Sequence, residues 1–208
     1  MHILTDKIEF PNPITASNDG LLAIGGDLSS ERLILAYQNG IFPWFDSDEP
    51  ILWWSPNPRF VLFPSNLKVS KSMKQILRNS DFEVTINKAF IDVIEQCRNL
   101  KRDGQTGTWI TEEMKKAYIK LHKLGYAKSI EVWRDHKLVG GLYGIDLNNG
   151  VFCGESMFSK VNNASKVGFI SFIQNTNYKL IDCQVYTNHL ESLGAEELSR
   201  NEFLKYLY

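Results

Sequence analysis

The sequence predicts an α+β fold in which a mixed sheet is flanked by helices. Three observations predict it. Apolar and polar residues alternate over 128–153 in three segments separated by short turns, as in an antiparallel sheet. The strand–helix–strand pattern at 151–185 is long enough for a parallel crossover beside the third of these strands. Apolar residues at helical spacing within 70–79 and 90–97 predict helices that precede this sheet.

The N-terminal part is rich in glycine, proline and aromatic residues. Small residues over 19–27 predict a turn region. A helix follows, with Ser29 as its N-cap and Gly40 after its last apolar residue. Proline interrupts the aromatic segments 41–45 and 51–59, so both are predicted to be rigid loops.

A linker is predicted where three prolines fall within residues 56–64. It divides the chain into a small N-terminal domain, residues 1–62, and a larger C-terminal domain, residues 63–208. The chain of 208 residues is long enough to bury a substantial core.

A set of basic residues marks the first helix of the C-terminal domain. The net charge of the chain is −1, so a nucleic acid would have to be held by a local patch. The helix predicted at 70–79 carries its cations opposite its apolar face, and one more precedes it. We call this set the basic stripe: Lys68, Lys71, Lys74 and Arg78. Such a stripe is either a solvated surface or a contact for an RNA backbone.

The remaining elements complete the α+β order. The loop over 104–111 ends at Thr111, the predicted N-cap of a helix that stops at Gly125. By analogy, the whole order matches the core of acetyltransferase-like (GNAT) folds. The other predicted elements are strands at 82–86, 128–133, 138–145 and 151–153, and helices at 163–175 and 200–207.

The strand predicted over 179–185 carries two polar residues that could do chemistry. Strand alternation places Asp182 and Gln184 on one face, with Cα atoms about 6.5–7 Å apart. A carboxylate beside a primary amide offers an anion, a neutral acceptor and two donors. The alternative is a polar face at a sheet edge.

Composition argues against several other classes of protein. The three cysteines are unpaired in spacing and lack histidines at metal-ligand distance in the sequence, so we expect reduced thiols and no metal site. No run approaches 18 apolar residues, and the first residues lack a secretory signal. We therefore expect a soluble cytoplasmic protein that does not contact a membrane.

Nine ordered blocks resemble a known enzyme family. They are GLLAIGGDL (20–28), GIFPWF (40–45), ILWWSPNPR (51–59), GTWIT (107–111), LVGGLYG (138–144), FCGESMFS (152–159), NASK (163–166), LIDCQV (180–185) and HLESLGA (189–195). On these blocks the chain resembles the bacterial leucyl/phenylalanyl-tRNA–protein transferases over nearly its whole length.

The resemblance implies a small domain packed on a GNAT-like catalytic domain. It implies transfer of Leu or Phe, less readily Met, from aminoacyl-tRNA to proteins with N-terminal Arg or Lys, which are thereby marked for N-degron proteolysis. The acyl group arrives already activated as an ester, so the reaction requires no cofactor. What the enzyme supplies is orientation, a proton acceptor and a place for the oxyanion.

Three catalytic residues are implied by the same resemblance. Asp182 and Gln184 match the family's proposed pair, in which the Gln184 oxygen accepts a proton of the attacking amine. Glutamine is a poor base, so orientation is the favoured role for Gln184, and the Asp182 carboxylate, directly or through water, is the better proton acceptor. Which of the two residues takes the proton is left open by the sequence. Glu155 matches a site residue that would bind the cationic N-terminal residue or an ammonium group.

Substrate-binding residues are implied as well. Trp44 and Trp109 match positions that flank the 3′-terminal adenosine. The basic stripe matches a cluster that holds the tRNA acceptor region. Ser156, next to Glu155, is counted with the substrate-binding residues; no G-x-S-x-G pattern or nearby histidine supports a role as nucleophile. The residues predicted to line the aminoacyl pocket are Leu142, Ser156, Met157, Phe158 and Phe172.

Two other functions are consistent with parts of the sequence. An acetyltransferase would hold the pyrophosphate of acetyl-CoA at a glycine-rich helix start, but residues 160–166 contain no glycine, so we expect no CoA. A non-enzymatic RNA-binding adaptor would use the aromatics and lysines and leave Asp182 and Gln184 unexplained.

Overall fold

The computed structural model describes residues 2–100 and 108–208. Eleven strands and seven helices are found in these residues. In chain order they are β1 His2–Leu4, β2 Leu21–Gly25, α1 Ser30–Gln38, β3 Phe42–Pro43, β4 Leu52–Trp54, β5 Arg59–Leu62, α2 Lys71–Asn79, β6 Glu83–Ile86, α3 Phe90–Arg98, α4 Glu112–Lys123, β7 Ala127–Arg134, β8 Lys137–Asp146, β9 Val151–Ser159, α5 Ala164–Gln174, β10 Leu180–Gln184, α6 Asn188–Ser192, β11 Glu196–Leu198 and α7 Arg200–Leu204. Short 3₁₀ turns lie at Pro13–Thr15 and Pro64–Asn66.

A seven-stranded mixed sheet forms the larger part of the protein. Its strand order is β11-β5-β10-β9-β8-β7-β6. The predicted antiparallel run is confirmed in β7, β8 and β9, and β10 pairs in parallel with β9 after the α5 crossover, also as predicted. The sequence therefore predicted the centre of this sheet and its α+β class correctly.

A second sheet of four strands, in the order β1-β2-β4-β3, forms the small N-terminal part. The prediction of a turn region at 19–27 and of loops at 41–45 and 51–59 was wrong in this respect, because short strands occupy all three. Burial accounts for their regularity. Trp53 is fully buried, and its indole N–H donates to the carbonyl of Gly25 at 2.8 Å.

The pairing of strand β5 bears on where the predicted domain boundary lies. Strand β5 lies within the predicted linker at 56–64, yet it pairs antiparallel with β10 and with β11 inside the large sheet. Residues 59–62 are thus part of the larger unit. We propose that the unit boundary precedes Arg59, rather than following residue 62.

Helix ends follow their predicted caps. The hydroxyls of Ser29 and Thr111 accept from the backbone N–H groups of Arg32 and Met114. The segment 104–107 of the predicted loop before Thr111 lies outside the described residues. Within the described residues, Cys97, Cys153 and Cys183 form no disulfide. In the described part of the chain, no helix is long and apolar enough to cross a membrane.

Two apolar clusters fill the two faces of the large sheet. Helix α5 covers one face together with Met73 of α2. Helices α3 and α4 cover the other face, and the same cluster continues into the small unit through α1, Phe42 and Trp53. The two units therefore share one core, and this contact brings β3 next to the ends of β9 and β10.

Candidate active site

A cleft of about 570 Å³ opens between the small unit and the large sheet. Its walls come from β3, β8, β9, α5, β10 and the segment that follows β10, and Trp109 also contributes. We call it the central cleft. It contains most of the residues predicted to act on substrate: Trp44, Trp109, Leu142, Glu155, Ser156, Met157, Phe158, Asp182 and Gln184.

The sequence predicted that Asp182 and Gln184 lie on one face of a regular strand, but the strand is irregular between them. The pairing of β10 with β5 shifts register between these two residues, and Gln184 has a left-handed backbone with φ of 64°. The backbone N–H of Gln184 donates to Asp182 Oδ1 at 2.9 Å. The carboxylate thus closes a local turn that ends the strand and aims Gln184 into the central cleft.

A buried arginine pairs with Asp182. Arg59 Nε donates to Asp182 Oδ1 at 2.8 Å, and Arg59 Nη2 donates to Oδ2 at 2.7 Å. Both side chains are almost completely buried, at 1% and 0% exposure. The guanidinium also donates to the carbonyl of Gly40 and lies 4.7 Å from the ring centroids of Phe42 and Phe203. This bidentate geometry holds the carboxylate in one orientation.

Glu155 is the carboxyl group whose proton affinity suits neutral pH. Burial raises the pKa of Glu155 to about 7, although the hydroxyl groups of Tyr37 and Tyr118 lower it in part. The hydroxyl of Tyr118 donates to Glu155 Oε2 at 2.9 Å, and Gln184 Nε2 donates to Oε1 at 2.8 Å. A carboxyl group with this pKa can take and return a proton near pH 7.

The same contact sets the orientation of the Gln184 amide. A carboxylate accepts hydrogen bonds only, so the amide must turn its NH₂ group toward Glu155. Its carbonyl oxygen then lies at the opposite end, where it can accept from an amine. Gln184 therefore joins the carboxyl of Glu155 to the turn that Asp182 closes.

The apolar wall agrees with all but one of the predicted pocket residues. Leu142 and Phe158 are buried, and Met157 is partly buried beside them in the cleft wall. Phe172, the remaining predicted pocket residue, does not line the cleft. Its ring packs away from the cleft against Phe152 and Tyr178, with centroids 4.7 and 5.3 Å apart.

Phe169 takes the place predicted for Phe172 in the cleft wall. Helix α5 is apolar around most of its circumference, with seven buried residues out of eleven. The helical period therefore could not tell which phenylalanine faces the cleft.

The two predicted adenosine-flanking tryptophans both line the central cleft. Trp44 is 42% exposed, and Trp54 lies beside it with a centroid distance of 6.1 Å. The indole N–H of Trp54 donates to the carbonyl of Trp44 at 2.7 Å and so holds the backbone that carries the exposed ring. A fixed, exposed aromatic face suits stacking on a base.

The basic stripe lies outside the cleft. All four of its residues are exposed, three of them on α2, which contacts α5. Among the residues that the structure describes, the stripe forms no ion pair with an acidic side chain at the geometry of a salt bridge. Its charges are therefore available to an external anion, as expected for either a solvated face or an RNA contact.

The fold and the site together indicate an enzyme of acyl transfer. A carboxyl group with a pKa of about 7 is hydrogen-bonded to an amide beside an apolar cleft. Matches to protein-family models identify which family of acyl-transfer enzymes the chain belongs to. The model described as leucyl/phenylalanyl-tRNA protein transferase matches residues 61–208, and the model of that enzyme's N-terminal domain matches residues 26–57. The chain belongs to the leucyl/phenylalanyl-tRNA–protein transferase family, and it is an aminoacyltransferase.

Curated proteins of the same family are similar to this chain over nearly its full length. A leucyl/phenylalanyl-tRNA–protein transferase of Flavobacterium psychrophilum is 58% identical, with 100% of this chain and 99% of that protein covered. The enzyme of that name from Christiangramia forsetii is 57% identical, with 100% of both chains covered. The one from Pectobacterium carotovorum is 53% identical over 98% of this chain and 87% of the relative.

Solved structures that resemble the chain are far more distant. A conserved protein of unknown function from Staphylococcus epidermidis is 10% identical, covers 86% of this chain and 68% of its own, and gives a TM-score of 0.48. A GCN5-related N-acetyltransferase from Kribbella flavida is 8% identical, covers 78% and 58%, and gives a TM-score of 0.38.

Proposed function

We propose that this transferase moves Leu or Phe, and less readily Met, from aminoacyl-tRNA to the α-amino group of proteins that begin with Arg or Lys. The choice of acceptor, a role in N-degron proteolysis and a cytoplasmic location rest on the family resemblance. The chemistry rests on one observation: the carboxyl of Glu155, with a pKa of about 7, contacts the amide of Gln184 at the central cleft.

The reaction is the attack of an amine on an ester. The acceptor nitrogen forms a bond to the ester carbonyl carbon, and the bond from that carbon to the ribose oxygen of the tRNA breaks. The amine loses one proton, and the ribose oxygen gains one. An α-amine has a pKa of about 7.7–8.0, so a carboxylate of pKa near 7 is well matched as the proton acceptor.

Glu155 and Gln184 share this work. The Gln184 carbonyl oxygen accepts a hydrogen bond from the attacking amine and orients its lone pair toward the ester. Glu155 takes the amine proton and returns it to the departing ribose oxygen. The first step protonates the Glu155 carboxylate, and the second returns it to its ionised form. The cycle therefore consumes no net proton.

Asp182 serves this pair indirectly. The sequence favours Asp182 over Gln184 as the proton acceptor, but the two Asp182 oxygens already accept from Arg59 Nε, Arg59 Nη2 and the Gln184 N–H. Protonation there would break a buried ion pair. We therefore assign the proton to Glu155 and give Asp182 the task of holding the turn that presents Gln184.

The rest of the cleft provides binding. The apolar wall of Leu142, Met157, Phe158 and Phe169 would take the Leu or Phe side chain, for which shape is the main discriminator. Stacking of the terminal adenine on Trp44 and Trp109 would contribute about 1–3 kcal/mol by the usual magnitude for base–aromatic contacts. The basic stripe would hold the acceptor stem.

A transfer assay tests the proposal. Purified protein is given tRNA charged with labelled Leu, together with peptides that differ only in a first residue of Arg, Lys or Ala. We expect label on the Arg and Lys peptides and little on the Ala peptide, and Glu155→Gln serves as the matched inactive control. Equal labelling of the Ala peptide would remove the acceptor assignment. Binding of charged tRNA without any transfer would favour an RNA-binding adaptor.

A further inference from the structure

A chain of buried hydroxyl groups connects the small N-terminal unit to Glu155. The hydroxyl of Tyr118 on α4 donates to Glu155 Oε2 at 2.9 Å, and it also contacts the hydroxyl of Tyr37 on α1. Both tyrosines are buried, at 0% and 1% exposure. Burying two phenol groups is unfavourable unless they are hydrogen-bonded, so the chain is a specific feature of this core.

The direction of the chain follows from counting hydrogens. A tyrosine hydroxyl carries one hydrogen, and that of Tyr118 is given to Glu155. Tyr37 must therefore be the donor in its contact with Tyr118. Both O–H groups point toward the carboxylate, and each donor polarises the next in such an arrangement.

Packing holds the chain in place. The ring of Tyr143 lies edge-on to Tyr118 with centroids 5.6 Å apart, and Phe90 packs edge-on to Tyr143 in turn. On the other side of the carboxyl, Gln184 Nε2 occupies Oε1. The carboxyl group is thus held at both of its oxygens, by a phenol on one side and by the amide of the cleft on the other.

We propose that Tyr118 and Tyr37 are positioning residues for the transfer reaction, which keep the Glu155 carboxylate ionised and turned toward Gln184. This inference rests on the proposed role of Glu155. Neither tyrosine lines the central cleft among the residues described, so both act through Glu155 rather than on the substrate. Through its contact with Tyr118, Tyr37 of the small unit also contributes to the electrostatic environment of Glu155.

Loss of either hydroxyl should make the carboxylate easier to protonate. Hydrogen bonds to the charged form lower a carboxyl pKa, so Tyr118→Phe and Tyr37→Phe should each raise the pKa of Glu155. By the usual strength of a hydrogen bond to a charged group, the rise is roughly one pH unit or more. Neither substitution alters the other ionisable residues near Glu155, which are Arg59, Tyr143, Cys153 and Asp182.

The test measures this rise in two ways. The first is the acidic limb of kcat/KM for Leu transfer to an Arg-starting peptide, with the same peptide for every variant. The second is direct titration of the Glu155 carboxyl by NMR of protein labelled with ¹³C at glutamate carboxyls, assigned by the signal lost in Glu155→Gln. We expect both midpoints to move to higher pH in Tyr118→Phe and in Tyr37→Phe.

Tyr178→Phe is the matched control. Its hydroxyl also donates from a mostly buried position to a carboxylate, Asp146 Oδ2 at 2.8 Å, but away from Glu155. That variant should leave both midpoints unmoved. Unchanged midpoints in the Tyr118 and Tyr37 variants, with only a loss of stability, would overturn the inference. A wild-type protein that transfers no Leu, while the NMR midpoint still moves, would refute the proposed function and leave the hydroxyl chain standing.

Discussion

Replacement of Asp182 by Asn removes the negative charge opposite Arg59 while keeping the size of the side chain. The carboxylate accepts three hydrogen bonds, at 2.8 and 2.7 Å from Arg59 and at 2.9 Å from the Gln184 N–H. An Asn at this position offers one oxygen and turns an NH₂ group toward another donor. The guanidinium then remains charged and fully buried without its counterion.

The expected loss of stability can be worked out from this geometry. Breaking a buried pair by changing one partner costs about 3–5 kcal/mol. For a chain of this size, each kcal/mol lowers Tm by about 2–4 °C, so the melting temperature should fall by roughly 6–20 °C. Transfer should fall strongly as well when measured below both transitions, because the turn that aims Gln184 relaxes. Affinity for charged tRNA should stay near that of the wild type.

A double variant separates charge from packing. Arg59→Met with Asp182→Leu replaces the pair by apolar side chains, which often costs less than breaking it. Urea unfolding of the single and double variants gives the coupling free energy directly. The reasoning fails if Asp182→Asn costs less than about 1 kcal/mol, or if the losses of the two single variants simply add. Equal loss of transfer and of tRNA affinity would mean that Asp182 has only a structural role.

Three further predictions concern the cleft and the basic stripe. The folded-state pKa of Glu155 is raised from 4.5 to about 7, so between these pH values the folded protein binds a proton that the unfolded chain does not. The contribution of Glu155 to the free energy of unfolding therefore declines as pH rises from 4.5 to 7. Glu155→Gln should flatten that decline in urea unfolding and lower kcat by about 10²–10⁴-fold. An unchanged pH dependence of unfolding would contradict the raised pKa. Alanine at all four positions of the basic stripe should raise KM for charged tRNA and lower the slope of log affinity against log salt by about 0.7–0.9 for each lost phosphate contact, whereas an unchanged slope would identify a solvated face. Phe172→Ala should cost about 3–5 kcal/mol of stability without altering the Leu-to-Phe preference, whereas Phe169→Ala should alter that preference in competition assays; the reverse pattern would restore the sequence prediction.

The elements that could be predicted from the sequence are those specified by local patterns. Ser29 and Thr111 cap helices as expected because a cap depends on a hydrogen bond three residues away. The antiparallel run from β7 to β9 follows from alternation and short turns. The four-stranded sheet could not be predicted in this way, since its strands have five residues or fewer, and β2 and β3 include a glycine and a proline respectively.

The site depended more on long-range contacts. Asp182 and Arg59 are 123 residues apart, and Arg59 lies in a proline-rich segment that reads as a loop, so nothing local connects the two. The register shift at Gln184 also has no local signal, because its alternating neighbours suggest an unbroken strand. In the sequence, Tyr37 and Tyr118 fall among apolar residues at helical spacing, so the pattern indicates only that they lie on buried helix faces. Their hydroxyls gain a role once α1 and α4 meet beside β9.

These contacts imply that the small N-terminal unit does more than supply Trp44. Gly40 accepts from Arg59, Phe42 packs on the same guanidinium, and Tyr37 donates toward Glu155 through Tyr118. Arg59 itself orients Asp182, which holds Gln184 in its turn. Glu155 and Gln184, the two side chains for which we propose catalytic roles, are therefore both held in place through residues 37–42. Movement of the small unit away from the large sheet would expose two phenol groups and a buried ion pair at once, so the docked arrangement and the active arrangement of the cleft are stabilised by the same contacts.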